Sequence, residues 1–342
     1  METNPNIVVF GVGAIGSTVG GWLASVYDNL VFIDQGEISE ALMNNGLTIY
    51  HENEKDKAEN IKVKVVNSID DAGDPDIIII AVKTYSLDKV CKLIKEKVGD
   101  KPIIIALQNG IDNQKILPKY FSKVIYGIVS YNAWLDAPGI AGYQKRGPLI
   151  FGTINNELDN EMKEIQKLFN KGVETVTTNH LQDAARSKMI INLTNSLTTL
   201  IGLNYREISN AAIFQKLLSN LTYEGVQIMK AAGYNECKLG GMPSWAMLTA
   251  AVKLPRVITK KMFEKNVKKM VLSSMAQDVI QRGSDQNELD NLNGYFVNLA
   301  DELGMKAPYN RAVYELCKSE FSKPDFKPVD VMYVWDNVKQ RF

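Results

Sequence analysis

Thiols and imidazoles are scarce in this chain. Three cysteines (Cys91, Cys237 and Cys317) and two histidines (His51 and His180) occur in 342 residues. The cysteines are odd in number and far apart, with no CxxC pair, which argues against a disulfide framework and a structural zinc site and fits a reducing cytoplasm. Two histidines leave histidine-based metal sites and Ser/His triads poorly supplied, and no metal is expected. An excess of charge is also missing, since 39 basic residues balance 39 acidic ones. No overall field therefore recruits nucleic acid or an anionic membrane. Long hydrophobic runs are absent too: "IIIIAV" is strand-sized, and "METNPNIVVF" lacks a basic segment followed by an apolar one, so neither a membrane span nor a targeting segment is expected. The expected partner is a small molecule.

What is present is enough apolar material, 45% of the residues, to build the cores of two domains. From Asn6 to about Gly152 the runs "NIVVFG", "NLVFID", "KVKVV", "DIIIIAV", "PIIIAL" and "KVIYGIVSY" alternate with helical patterns. They have the length and aliphatic content of parallel strands buried on both faces. After "LIFG", a helix over 156–171 and a short strand "VETVTT" finish the sheet. From about Leu181 helical patterns take over, at 183–200, 211–232, 242–259, 267–282, 287–303 and 308–321, while "SKPDFKPVD" reads as an irregular surface segment. The expected fold is an α/β dinucleotide-binding (Rossmann) domain over 1–180 and an all-α domain over 181–342. No repeat or linker separates them, so a cleft is expected at their junction.

The stretch "GVGAIG", Gly11 to Gly16, matches GxGxxG. It follows the strand "NIVVF", opens a helix, and precedes a second strand ending in Asp34, which is the context that gives the pattern meaning. Gly11 permits a tight turn, Gly13 lets backbone approach a pyrophosphate, and Gly16 lets helix pack on strand. Ala14 and Ile15 lie at the helix N-terminus, whose free N–H groups suit phosphate. A carboxylate at Asp34 can accept hydrogen bonds from an adenosine ribose and repels a 2′-phosphate, which favours NAD(H). Lys83 in "AVKTY" ends another strand on the same side and could supply a cation toward NADP(H).

In "SKMIINLTN", Ser187 to Asn195, a buried-looking helix carries Lys188, Asn192 and Asn195 on one stripe at about 100° per residue. Met189, Ile190, Ile191 and Leu193 cover the other sides. An ammonium is costly to desolvate, so such a stripe faces water or a ligand. From this segment alone, a lysine snorkelling to solvent, with the asparagines satisfying neighbouring backbone, is the more ordinary reading.

Together, "FGVGAIGS", "AVKTY", "LQNGIDN", "SKMIINLTN", "SSMAQDV", "NELDNLNGY" and "GMKAPYN" resemble the ketopantoate reductase (2-dehydropantoate 2-reductase) family in order and spacing, over nearly the whole chain. The resemblance implies a Rossmann domain followed by a helical domain like the C-terminal domain of 6-phosphogluconate dehydrogenase. Substrate and nicotinamide are then held between the two. It also implies reduction of a 2-keto acid to the D-hydroxy acid, in the first place ketopantoate to pantoate in pantothenate and coenzyme A biosynthesis. NADP(H) is the cofactor by family expectation, where Asp34 suggests NAD(H), and a homodimer is left open. Carried over by position, Lys188 resembles the catalytic lysine and Glu288 the glutamate that binds the substrate hydroxyl and orders that lysine. Asn192, Asn195 and Ser274 resemble substrate-binding residues, and Asn109 an asparagine that contacts both cofactor and substrate. Asp278 and Asn291 are polar neighbours on the same helices.

The chain departs from the family pattern in three places. The second helix asparagine is expected eight residues after the lysine, where Ser196 stands, and Asn195 lies one position earlier. The Ser274–Glu288 interval is about two residues longer. The stretch "GGMPSWAMLTAAVKLPRVITKKMFEKNVKKM" is longer and more apolar-basic, and could reshape or cover the pocket. These departures and Asp34 keep open an NAD-dependent D-2-hydroxyacid dehydrogenase acting on a bulkier branched or aromatic acid. A dinucleotide-binding sensor without chemistry, and an opine or glycerol phosphate dehydrogenase, are further alternatives. Retention of Lys188, Asn109, Ser274 and Glu288 opposes the sensor, and the scarcity of histidine opposes the opine type.

Overall fold

A computed structural model describes residues 4–238, 240 and 242–342. The chain divides into two compact units, Met1–Gln182 and Asp183–Phe342. Gly241, in the long apolar-basic stretch, and the first three residues of the N-terminus lie outside the described residues.

The first unit is built on an eight-stranded sheet. Its strands are β1 (Ile7–Phe10) and β2 (Leu30–Ile33), then after a small second sheet's β3 (Leu47–His51) and β4 (Glu59–Ile61) come β5 (Lys64–Val66), β6 (Ile77–Ile80), β7 (Ile103–Ala106) and β8 (Val124–Val129). Strands β9 (Ala133–Ala137) and β10 (Ile140–Tyr143) return to the second sheet, and β11 (Leu149–Gly152) and β12 (Thr175–Thr177) complete the first. The order β12-β11-β8-β7-β6-β1-β2-β5 contains, from β5 to β8, the doubly wound arrangement in which the chain reverses direction beside β1. Only β11 runs antiparallel to its neighbour β8. Strands β1, β2, β6 and β7 are apolar throughout and buried nearly along their length, as strands covered on both faces must be. Helices α1 (Ala14–Ala24), α2 (Gly36–Asn45), α3 (Thr84–Val98), the short α4 (Asn113–Ile116) and α5 (Asp159–Phe169) provide the cover.

The second sheet, β4-β3-β10-β9, is not anticipated by the strand reading above. Its strands are short, partly exposed and carry polar and aromatic residues. A side-chain chain crosses it: Trp134 Nε1 donates to Tyr50 OH at 3.0 Å, and both Tyr50 OH (2.6 Å) and Lys55 Nζ (2.7 Å) donate to Asp136 Oδ2.

The second unit is mostly helical. It comprises all but the first two residues of α6 (Leu181–Ile201), then α7 (Ala211–Ala231), α8 (Trp245–Lys253), α9 (Arg256–Val267), the single turn α10 (Ser274–Ala276), α11 (Tyr295–Glu302), α12 (Pro308–Phe321) and α13 (Val331–Lys339). Three sequence expectations are corrected here. The helix expected over 242–259 is two helices, because Pro255 forces Leu254 into an extended conformation (φ −89°, ψ 148°). The helix expected over 267–282 begins only at Ser274 and passes into a π-helical turn, Gln277–Gln281. A second π-turn, Asp290–Gly294, precedes α11 inside the helix expected over 287–303. The irregular "SKPDFKPVD" stretch ends at Asp330, whose carboxylate accepts the Met332 N–H and caps α13. Among the described residues no helix is long and apolar enough to cross a membrane.

Candidate active site

Within the first unit, the expected cofactor residues gather at the carboxyl edge of the large sheet. The register pairs Phe10 with both Ile33 and Ile80, and Ile80 with Ala106, so the segments that follow these residues emerge side by side. Gly11, Asp34, Lys83 and Asn109 stand on those segments, outside the strand ends where open α/β sheets bind ligands.

The three glycines of the turn differ in what holds them. Gly11 adopts φ +93°, and an added Cβ would lie 2.7 Å from Val82 Cγ1. At Gly16 an added Cβ would fall inside the van der Waals radius of the Gly11 carbonyl oxygen, so helix α1 reaches this close to the turn only without a side chain. Gly13 differs: nothing lies within 4 Å of its Cβ position. Its φ of −72° is open to any residue, so neither conformation nor packing within the protein demands glycine there. The open space beside the helix N-terminus has the character of a cradle that a Cβ would fill, and it fits a pyrophosphate. Asp34 supports the same turn: its Oδ2 accepts the Val12 N–H at 2.5 Å and its Oδ1 accepts the Gln35 N–H at 2.8 Å.

Lys83 immediately precedes α3 and is partly exposed. The partly buried Asn109 stands beside Gly110, whose φ is +81°. Gln108, which the motif reading passed over, fixes this region. Its Nε2 donates to the carbonyls of Ile80 (2.8 Å) and Val82 (3.2 Å), stapling the segments after β6 and β7. The "QN" pair in "LQNG" carried that signal, since an amide at a strand end can cross-link adjacent carbonyls.

Within the second unit, α6 carries the polar stripe. Met189, Ile190 and Leu193 are fully buried, whereas Ile191 is only partly so. Lys188 is partly buried, Asn192 is buried at 6% exposure and Asn195 is intermediate. Desolvation is what shifts Lys188, lowering its ammonium from the ordinary 10.5 to about 8. A partly buried ammonium lowered to about 8 by desolvation differs from a lysine snorkelling into bulk water. The preceding Ser187 is tied down, its Oγ accepting the Cys237 N–H at 3.0 Å.

Ser274 begins α10 and is partly exposed. The residue before it, Ser273, caps the turn by accepting the Ala276 N–H at 3.1 Å and lies 3.2 Å from Thr199 Oγ1 on α6. The structure thus brings the Ser274 turn against the helix of Lys188, Asn192 and Asn195. Glu288 is buried at 5% exposure just before the second π-turn, and its carbonyl accepts the Leu292 N–H at 3.0 Å. On the first π-turn, buried Asp278 accepts from Arg282 Nη1 at 2.7 Å. Asn291 is partly exposed on the second.

Comparison with known proteins extends over the same halves. The family description "Ketopantoate reductase PanE/ApbA" matches residues 7–156, and its C-terminal counterpart matches 180–320. A 2-dehydropantoate 2-reductase of Pyrococcus horikoshii is 30% identical over 319 residues, 92% of this chain and 97% of that protein. One from Archaeoglobus fulgidus is 26% identical, over 91% and 96%. Among solved structures, D-mandelate dehydrogenase with NADH and anilino(oxo)acetate aligns with a TM-score of 0.76 at 19% identity, covering 94% of this chain and 99% of that one. The 2-dehydropantoate 2-reductase of Geobacter metallireducens aligns at 0.73 and 20%, covering 92% and 99%. At these identities the structural likenesses speak for the fold. The sequence matches go further: the chain belongs to the ketopantoate reductase family and is an NAD(P)H-dependent oxidoreductase.

Proposed function

We propose that this protein reduces a 2-keto acid to the corresponding D-2-hydroxy acid, with ketopantoate as substrate and Lys188 as proton donor. The observation that carries the reading is the partly buried Lys188 ammonium, brought by desolvation to about 8 on a helix where Met189, Ile190 and Leu193 are buried beside it. When bound, NAD(P)H supplies the hydride. Negative charge then develops on the carbonyl oxygen, and a positioned ammonium both stabilises that charge and delivers the proton. Glu288 acts as the carboxylate that receives the substrate hydroxyl and orders the lysine. Asn109 and Asn192, each with a donor and an acceptor, read carbonyl and hydroxyl together, Ser274 holds the substrate carboxylate, and Asn195 contacts the substrate from the same helix as Asn192. The glycine turn with Ala14 and Ile15 takes the pyrophosphate, Asp34 the ribose, and Lys83 offers a cation on the same edge.

A second reading has a specific basis. Asn195 stands one position short of the family's second asparagine, and a D-mandelate dehydrogenase has the same fold. Both fit a bulkier branched or aromatic acid, and Asp34 fits NADH. Turnover of ketopantoate and phenylglyoxylate, each with NADH and with NADPH, separates the two readings. Preference for ketopantoate supports the first, preference for phenylglyoxylate the second, and no turnover of either leaves a dinucleotide binder without chemistry.

A further inference from the structure

The contact between α6 and the α10 turn has a direction that proton counting fixes. Thr199 Oγ1 has one hydrogen, and it points along the helix to the Asn195 carbonyl at 2.7 Å. The 3.2 Å contact between Thr199 and Ser273 must therefore use the Ser273 hydrogen, with Thr199 Oγ1 accepting. Ser273 Oγ in turn accepts the Ala276 N–H at 3.1 Å. The result is a one-way series, Ala276 N–H to Ser273 Oγ to Thr199 Oγ1 to Asn195 O, in which every hydrogen is used once and each bond polarises the next. Thr199 is fully buried, so water does not reach its hydroxyl to replace either of its two bonds.

This series joins two segments assigned above to the substrate: the backbone of Asn195 at one end and, at the other, the turn opened by Ser274, which takes the carboxylate. We propose that Thr199 and Ser273 are positioning residues for the keto acid carboxylate, setting the separation between Asn195 and Ser274 and hence the affinity for, and choice among, 2-keto acids. The inference rests on the reductase reading and adds to it the parts that align its carboxylate site. Neither residue touches the reacting atoms. Their work is to hold a spacing, and small misplacements of a binding group are costly to a positioned reaction.

The test is steady-state kinetics of the full-length protein carrying Thr199→Val, which preserves shape and removes both hydrogen bonds. NADH affinity is followed in parallel by nicotinamide fluorescence. The expected result is a rise of about tenfold in KM for the keto acid, the scale of losing one or two buried hydrogen bonds, with kcat changed much less and NADH affinity unchanged. Thr199→Ser restores KM because it keeps the hydroxyl. Ser273→Ala raises KM alone but adds little in the Thr199→Val background, as members of one series do. Should Thr199→Val fold poorly, the Ser273→Ala and Thr199→Ser pair still reports on KM. Variants that lose thermal stability while KM and keto acid preference stay at wild-type values overturn the positioning role and leave the reductase reading standing. A wild-type protein that turns over no 2-keto acid overturns both.

Discussion

The Asp34 carboxylate accepts the Val12 N–H at 2.5 Å, so the group expected to face an adenosine ribose also braces the turn expected to receive the pyrophosphate. Its two roles are separable by substitution. Asp34→Asn keeps an acceptor oxygen for Val12 and removes the charge that repels a 2′-phosphate, so KM for NADPH falls relative to that for NADH. Asp34→Ala removes both, and KM for NADH rises by about tenfold or more, a charged hydrogen bond being lost, with a smaller rise for NADPH. A wild-type enzyme that already prefers NADPH strongly contradicts this assignment of Asp34.

Two glycines of the turn differ in what they tolerate. Gly16→Ala drives a methyl into the Gly11 carbonyl and lowers stability by about 1–3 kcal/mol through overpacking. Gly13→Ala meets open space in the protein, so its melting temperature stays near wild type while nucleotide affinity drops. Thermal melts with and without NADH check both, and a Gly13→Ala protein with full NADH affinity places the pyrophosphate elsewhere.

Away from the proposed chemistry, Glu224 on α7 caps α12. Its carboxylate accepts the backbone N–H groups of Tyr309 (3.0 Å) and Asn310 (2.9 Å) and the Asn310 side-chain amide at 2.9 Å. Burial raises its pKa, and those hydrogen bonds oppose the rise. Glu224→Ala leaves buried donors unsatisfied and destabilises the protein by about 1–3 kcal/mol in denaturant melts, with Michaelis constants unchanged at temperatures where it is folded. Unchanged stability contradicts the capping role.

How much of this was legible in the sequence follows from which interactions are local. The glycine turn, the β2 end at Asp34 and the buried aliphatic strands obey rules that act within a few residues, and the structure places them accordingly. The small sheet escaped because its strands are half-exposed and its central pairing, β3 with β10, joins segments remote in sequence. The break at Pro255 was readable from the proline alone, but the apolar pattern runs across it. The π-turns at Gln277–Gln281 and Asp290–Gly294 have no comparable sequence rule. Lys188 was legible as an anomaly on its helix, whereas the Thr199–Ser273 contact, between residues with ordinary helical and capping signals, was not.

The Lys188 value predicts a pH dependence with a definite sign. Reduction needs the ammonium, so kcat/KM for the keto acid holds below about pH 8 and falls tenfold per pH unit above it. Oxidation of the hydroxy acid needs the free amine and rises through the same region. For stability, the folded pKa of about 8 lies below the ordinary 10.5, so the unfolded chain binds more protons between these values. The cost of burying this charge is fully present below pH 8 and is relieved as pH rises toward 10.5. Lys188→Met removes that dependence from the melting curve, and a pH profile of stability identical to wild type contradicts the shift.

The central claim is that Lys188 donates the proton in keto acid reduction. Single-turnover and steady-state reduction of ketopantoate by wild type and Lys188→Ala, with NADH affinity measured on the same samples, tests it most directly. The account predicts a fall in kcat of roughly 10²–10⁴-fold, the range for a lost general acid, at nearly unchanged NADH affinity. A turnover number that survives the substitution contradicts it.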